Sequence, residues 1–211
     1  LVEHLISADL LVLLTDMPGL MNADPRSTVQ ASLIEEIIEI DHELEQLAGG
    51  AGSARGSGGM ASKLSAAKIA AWSGVRTVIA AASRPEVLRD AVNQVPGVGT
   101  TIHARDNQLS ARKLWIAFAL PSAGRIQVDA GAVKALSQGG TSLLAAGVRS
   151  VDGQFEAFEA VEIVDESGSV IAKGLTRLNA QSVQELAGRR SSELAGRSGE
   201  IVHCDDLVIL P

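Results

Sequence analysis

The sequence predicts an α/β chain of two domains, a parallel-sheet domain over residues 1–121 and a small, mostly β domain over residues 122–211. Three observations predict this organisation. Apolar segments of strand length alternate with helical segments early in the chain, a pattern typical of a parallel sheet covered by helices. From Gly124 onward the chain changes to short alternating segments separated by tight turns, which favours a small barrel or sandwich. A polar stretch ending near Pro121 separates the two regions.

Composition places the chain among folded globular proteins. Of its 211 residues 46% are hydrophobic and 20% charged, so a core can form. The formal net charge of -7 gives no overall attraction to nucleic acid or to anionic membranes. The chain has no Tyr and only five aromatic residues, so a strand that stacks successive bases is not expected.

Cysteine and histidine usage indicates a reducing environment. Cys204 is the only cysteine, so it cannot form an internal disulfide, and the four histidines lack metal-ligand spacing. A cytoplasmic location is therefore expected. The longest apolar run, Leu10 to Leu14, is too short to span a bilayer, and no signal peptide opens the chain. We expect no association with a membrane.

The first domain begins with a strand over residues 8–15, whose continuous apolar character predicts burial on both faces. The pattern over residues 33–40 is compatible with a strand or a short helix, and both remain open. Asp41 stands where an N-cap is expected, and a helix should follow it over residues 42–48.

A second helix is predicted from Met60 to Trp72, because the segment is rich in alanine and has one apolar face. A strand over residues 75–82 follows. Ser83 and Glu86 then match a capping box, with a helix over residues 87–92.

The second domain is predicted to contain several short strands connected by glycine-containing turns. The segments with strand patterns are residues 124–128, 145–151, 160–165 and 170–174.

Two groups of residues are candidates for binding a nucleotide or its phosphates. Thr15 and Asp16 follow a buried parallel strand, and ligands bind outside the carboxyl ends of such strands. Ordinary turn chemistry explains the same pair. The glycine-rich segment 56–63 opens the second helix and places Lys63 in its first turn. Main-chain amides, the helix dipole and the ammonium group could together hold phosphate. A simple surface loop is the alternative.

Neither group matches a standard catalytic signature. The loop is not a Walker A motif, because Ser62 precedes Lys63 instead of following it. Residues 203–206 read His-Cys-Asp-Asp, but with no second His/Cys group at metal spacing a late strand and its turn are favoured over zinc.

Residues 8–16 and 57–63 carry strings by which the chain resembles amino-acid kinases of the glutamate 5-kinase type. Residues 8–16, with Gly19-Leu20 and residues 23–26, are similar to the family's first strand and turn of this region. Residues 57–63, Ser-Gly-Gly-Met-Ala-Ser-Lys, are similar to its Thr-Gly-Gly-Met-Ser-Thr-Lys loop. The resemblance implies a part of a three-layer parallel sheet with helices.

Five segments of the second domain carry a further resemblance, residues 126–132, 142–144, 147–148, 151–155 and 172–174. They resemble the PUA domain that such kinases carry, which implies a small, mostly β barrel. Phe158 stands where this pattern usually has glycine before an acidic residue, and an altered turn is expected there.

The resemblance implies ATP-dependent phosphorylation of the L-glutamate side-chain carboxylate, the first step of proline synthesis, with Mg²⁺ and feedback inhibition by proline. It implies that Lys63 is catalytic. The ATP-binding residues that it implies are Thr15, Asp16, Ser57, Gly58, Gly59, Met60, Ala61, Ser62 and Lys63. No protein ligand for a metal is implied. A homo-oligomer is expected, and the chain is expected to be a fragment that is inactive alone.

Two alternatives are kept. The chain could be an RNA-binding PUA module, although the net charge over residues 122–199 is only -1, from 8 cations and 9 anions, which gives little attraction to RNA. It could also be another amino-acid kinase, such as a uridylate or aspartate kinase. The PUA resemblance argues against the second alternative.

Overall fold

The computed structural model describes residues 7–23, 28, 30–49, 59–194 and 198–210. The chain divides into two compact units, Leu1–Ala111 and Arg112–Pro211. This division falls about ten residues before the boundary predicted near residue 121. The residues between the two positions form a helical segment that belongs to the second unit. Lys173 of the second unit donates hydrogen bonds to the main-chain oxygens of Ala117 and Leu120. Among the described residues, no helix is long and apolar enough to cross a bilayer.

The described part of the first unit forms a four-stranded sheet in the order β1-β3-β4-β2. The strands are β1 (Leu10–Thr15), β2 (Glu36–Ile37), β3 (Arg76–Ala81) and β4 (Thr100–Ile102). β1 pairs with β3 in parallel, as the apolar pattern predicted, and β2 pairs with β4 in parallel. β3 and β4 are antiparallel, so the sheet is mixed. The open choice for residues 33–40 is resolved as the short strand β2.

Helices cover both faces of this sheet, which confirms the three-layer α/β expectation. Helices α1 (His42–Gly49) and α2 (Met60–Trp72) lie on one face, and α3 (Val87–Val92) lies on the other. The first face is filled by buried apolar side chains that include Ile37, Ile40, Leu64, Ala67, Ile79 and Ile102. The second is filled by Val78, Ala80, Val87, Ala91 and Val98.

One of the two predicted helix caps is present in the structure and the other is not. Asp41 caps α1, because its Oδ1 accepts a hydrogen bond from the Leu44 amide at 2.9 Å. The capping box predicted at Ser83 is wrong, since α3 begins only at Val87, after Glu86 with φ 58°, and no side chain caps it. Pro85 explains the delay, because a residue that precedes proline avoids helical backbone.

The second unit begins at the second residue of α4 (Ala111–Leu114), which continues as a π-helical turn over Trp115–Ala119. Helices α5 (Ala130–Ser137) and α6 (Ala180–Leu186) follow later in the chain. Its described strands are β5 (Gly124–Val128), β6 (Leu143–Leu144), β7 (Val148–Gly153), β8 (Ala160–Val164), β9 (Val170–Thr176) and β10 (Glu200–Ile209).

These strands form a sheet in the order β6-β10-β9-β8-β5-β7 around a single apolar core. β5 is parallel to β8 and antiparallel to β7. The mostly β prediction is confirmed, except that residues 145–147 form a 3₁₀ turn, so β7 begins only at Val148. Phe158 has φ 69°, which lies in the left-handed region that favours glycine. The turn therefore keeps a left-handed backbone conformation although phenylalanine stands in place of glycine.

Candidate functional site

The candidate site begins at the carboxyl end of β1. Thr15 is almost fully buried, and its hydroxyl donates to Asp16 Oδ1 at 3.1 Å. Its main-chain oxygen accepts a hydrogen bond of 2.7 Å from the Ala82 amide, just beyond β3. The ends of the two parallel strands are therefore joined, and the Asp16 side chain is exposed at this edge.

The turn that follows Asp16 is held in place by Thr100 of β4. The Thr100 hydroxyl accepts from the Leu20 amide at 2.8 Å and donates to the Ile34 oxygen at 2.7 Å. A Cβ at Gly19 would come within 2.6 Å of the same hydroxyl oxygen, so only glycine fits. Sequence reasoning missed Thr100, because its partners are 80 and 66 residues away along the chain.

Helix α2 begins at the same edge of the sheet. It packs on β1 and β3 and runs straight into β3 through residues 73–75, so it lies antiparallel to both strands. Its 13 residues span about 20 Å at 1.5 Å per residue. The 6 residues of β3 span about 20 Å as well. The first turn of α2 therefore lies level with the carboxyl ends of the strands, where Thr15 is.

The first turn of α2 is well suited to an anion. Gly59 is its N-cap, no side chain caps it, and no acidic residue lies in its first turn. Helix α1 is the opposite case, with Asp41 as its cap and two glutamates in its first turn. Acidic groups normally balance the positive end of a helix dipole. In α2 that position carries the cation Lys63 instead.

In this turn the amides of Ser62 and Lys63 donate to the Gly59 main-chain oxygen at 3.2 and 3.4 Å, and no side chain caps the helix start. The Ser62 hydroxyl donates to the Gly59 main-chain oxygen at 2.8 Å instead of capping the helix. Lys63 is half-buried. Lys68, one turn further along α2, is paired with Glu45 of α1 at 2.7 Å and fixes the two helices to each other.

The structure thus brings two parts of the predicted site to one sheet edge. Thr15 and Asp16 form one part, and the described loop residues, 59–63, form the other. Ser57 and Gly58 lie outside the described residues. A cavity of ≈ 660 Å³ in this unit lies elsewhere, beside β2 and α1. Glu36, Glu39, Asp41 and Glu43 line that cavity, so it is unsuited to a phosphate.

Two family models match separate parts of the chain. Residues 4–81 match the amino acid kinase family, and residues 124–196 match the PUA domain. A PUA domain from Aeropyrum pernix K1, solved as a tartrate complex, is 25% identical, with a TM-score of 0.31. That match covers 44% of this chain and 50% of the other.

Longer matches are found among bacterial proteins named glutamate 5-kinase. The protein from Klebsiella pneumoniae subsp. pneumoniae is 43% identical over 97% of this chain, and the match covers 57% of that protein. The protein from Shewanella sediminis is 42% identical over 98% of this chain and is covered to 56%. The chain therefore spans little more than half the length of these relatives. It is similar to proteins named glutamate 5-kinase along nearly its whole length, with a segment that matches the amino acid kinase family followed by one that matches the PUA domain.

Proposed function

We propose that this chain supplies the nucleotide-binding part of a glutamate 5-kinase. Such an enzyme transfers the γ-phosphoryl group of ATP to the side-chain carboxylate of L-glutamate and forms L-glutamyl 5-phosphate, the first step of proline synthesis. The observation that carries the proposal is the first turn of α2. It has a glycine cap, no acidic residue and Lys63, and it lies at the sheet edge where Thr15 ends β1.

Each part of this edge has a proposed role. Thr15 and Asp16 contact the nucleotide, and residues 57–63 surround its phosphates. Lys63 stabilises the negative charge that develops on the transferred phosphoryl group. Phosphoryl transfer leaves little covalent work for a protein, so positioned cations and main-chain donors supply most of the acceleration.

Mg²⁺ is proposed to bind mainly through the phosphate oxygens of ATP, as it usually does in kinases. Asp16 is an exposed carboxylate at this sheet edge, and it would orient the ion's water ligands. The chemistry that the ion supplies is neutralisation of phosphate charge.

Other properties of the enzyme are proposals of the same kind. The residues that bind glutamate are proposed to lie in the part of the relatives that this chain does not match. Feedback inhibition by proline, a homo-oligomeric state and a cytoplasmic location are proposed on the homology. The 211-residue chain alone is expected to show no glutamate-dependent ADP release.

The second unit is proposed to be regulatory or architectural. Its charges support this role over RNA binding. Arg125, Arg149 and Arg177 are paired with Glu162, Asp129 and Glu200. Lys173 is buried. Half of the eight cations over residues 122–199 are thus engaged inside the unit, which lowers the positive charge available to a phosphate backbone.

Nucleotide binding by the purified chain tests the proposal. Mg-ATP binding would be measured by isothermal titration calorimetry for the native chain and for Lys63→Ala. A hydrogen bond to a charged group contributes about 1.5–3 kcal/mol, so Lys63→Ala should weaken binding by about 10- to 100-fold. The matched control is Lys68→Ala on the same helix, which removes only the ion pair with Glu45 and should leave the affinity unchanged.

Two results would count against the proposal. The first is an absence of Mg-ATP binding to a folded native chain. The second is an equal affinity of the native chain and Lys63→Ala. RNA binding is tested separately by a gel shift with structured RNA at low and high salt, in which we expect no complex below micromolar protein.

A further inference from the structure

Three consecutive side chains in the middle of β10 bring an imidazole, a thiol and a carboxylate together. The Cys204 Sγ atom lies 3.8 Å from His203 Nδ1 and 3.9 Å from Asp205 Oδ1. His203 Nδ1 lies 3.5 Å from Asp205 Oδ2. These three groups belong to the second unit and have no role in the proposed nucleotide site. Sequence spacing favoured a plain strand here, because it offered no second His/Cys group.

The separations are close to those of ligands around one zinc ion. Zinc bonds of about 2.3 Å to sulfur and 2.0–2.1 Å to nitrogen or oxygen, at tetrahedral angles, place ligand atoms about 3.3–3.6 Å apart. The observed separations of 3.5–3.9 Å involve both carboxylate oxygens of Asp205, Oδ1 towards Cys204 Sγ and Oδ2 towards His203 Nδ1. With one ligand atom taken from each residue, all three atoms lie within 4.8 Å of one another. Small side-chain rotations would bring all three atoms into bonding distance.

Adjacent residues can share a site here because the strand is irregular. In a regular strand, successive side chains point to opposite faces. The ladder between β10 and β9 shifts register between Val202 and Leu207, so the alternation is interrupted across this segment. Metal-ligating side chains at consecutive positions can therefore face the same space.

The main chain of the segment is held by neighbouring elements. The Cys204 amide donates to Ser142 Oγ at 3.0 Å, and its main-chain oxygen accepts from Lys113 Nζ at 3.1 Å. Asp206, the next residue, is paired with Arg112 at 2.6 Å. A backbone fixed on both sides lowers the entropy that binding must overcome.

The Nδ1 atom of the imidazole is an acceptor, and its lone pair is the one that a metal ion would take. The Asp205 amide donates to His203 Nδ1 at 3.1 Å, so the neutral ring carries its hydrogen on Nε2 and Nδ1 is an acceptor. A metal ion would replace this amide hydrogen at Nδ1. His203 and Cys204 are half-buried and Asp205 is exposed, which leaves a path for an ion and space for a water ligand.

We propose that His203, Cys204 and Asp205 form a binding site for one divalent transition-metal ion of the zinc type. Thiolate, imidazole and carboxylate are the ligands that Zn²⁺ prefers in proteins, and a water completes the tetrahedron. The thiolate and the carboxylate together balance the charge of the ion. Binding releases the thiol proton, so the affinity rises with pH.

Cobalt titration of the full chain, without a polyhistidine tag, tests the site. Co²⁺ replaces Zn²⁺ in tetrahedral sites and reports a sulfur ligand through a thiolate-to-metal charge-transfer band. We expect one equivalent of Co²⁺ to produce this band and Zn²⁺ to abolish it. Cys204→Ser should eliminate the band, and His203→Asn and Asp205→Asn should each weaken binding by at least about 10-fold. The control is His103→Asn, since His103 also lies near a carboxylate, that of Glu36 at 3.8 Å. This variant should leave the charge-transfer band and the cobalt affinity unchanged.

A second measurement uses only the native chain, so it does not depend on whether the variants fold. Cys204 is the only cysteine, so alkylation of the native chain by iodoacetamide reports this thiol alone. Stoichiometric Zn²⁺ should slow alkylation at least about 10-fold, and a chelator should restore the rate. The absence of a charge-transfer band, or alkylation that Zn²⁺ does not slow, overturns the proposal, as does cobalt affinity that His203→Asn leaves unchanged.

Discussion

The ammonium group of Lys173 donates a hydrogen bond of 2.5 Å to the main-chain oxygen of Leu120. It makes a second, longer contact of 3.4 Å to the Ala117 oxygen. The Ala117 oxygen belongs to the last turn of the helical segment 111–119 and the Leu120 oxygen to its C-cap, where carbonyl groups lack helical partners. A lysine from the sheet therefore completes the helix end and holds this segment on the second unit.

Replacement of Lys173 by methionine should destabilise the second unit. Methionine fills a similar volume but cannot donate, so the Leu120 oxygen loses its partner, at a cost of about 1–3 kcal/mol for a buried group. Denaturant unfolding followed by circular dichroism measures this loss. The control is Lys134→Met at an exposed position of α5, which should change the unfolding free energy by less than about 0.5 kcal/mol. Equal stabilities of the two variants would contradict the role of Lys173.

Lys173 should also give the chain a specific pH dependence. Burial lowers the pKa of Lys173, and the Glu162 carboxylate offsets part of this effect. In the unfolded chain the pKa returns towards 10.5. Between the two values the unfolded chain binds more protons, so the free energy of unfolding rises with pH. The stability of the native chain relative to Lys173→Met should therefore increase as pH is raised from neutrality towards 10.5. Unfolding curves at several pH values measure the difference in unfolding free energy between the two chains. A difference that falls as pH rises would refute the prediction.

Thr100→Val should weaken both stability and nucleotide binding. Valine keeps the shape but removes the hydroxyl that bonds to Leu20 and Ile34. One buried and one partly buried main-chain group lose their partner, which should cost about 2–4 kcal/mol in unfolding free energy. The turn after Asp16 should loosen, with lower affinity for Mg-ATP. Thr100→Ser retains the hydroxyl and serves as the control, so equal losses in the two variants would exclude this explanation.

Thr77→Val should not lower the unfolding free energy, in contrast to Thr100→Val. Thr77 is fully buried on β3, and its hydroxyl is unpartnered within the described residues. Burial of an unpaired hydroxyl costs free energy, so its replacement by a methyl group should leave stability unchanged or raise it by about 1 kcal/mol. The same unfolding experiment measures both threonines. A large loss for Thr77→Val would reveal a partner that this structure lacks.

Phe158 should be replaceable by glycine with a gain in stability. Its φ of 69° is unfavourable for a side-chain-bearing residue, and the ring is 70% exposed. Glycine removes strain of about 1 kcal/mol, part of which is offset by its greater freedom in the unfolded chain. Phe158→Val should lose about 1 kcal/mol, because β-branched residues tolerate this region poorly. Thermal unfolding would rank the three chains, and a glycine variant below the native chain would contradict the argument.

Local signals were enough for much of the fold. The bounds of α2, the cap at Asp41 and the parallel pairing of β1 with β3 followed from residue periodicity and turn chemistry, since neighbours in sequence determine both. The helices α5 and α6 were missed, although Asp129 and Asn179 accept hydrogen bonds from the Ala132 and Ser182 amides as N-caps. These caps are visible in the sequence, but the β pattern around them received more weight.

The sequence alone determined which groups are available at the candidate site, namely a glycine-rich helix start, Lys63 and the polar end of a buried strand. Tertiary structure decided what lies beside them and what holds them. Thr100 bonds to partners 80 and 66 residues away, and Lys173 reaches a carbonyl 53 residues away. Residues 203–205 lie where the β10 ladder shifts register. Contacts of this range depend on how strands and helices pack, and no local periodicity encodes them.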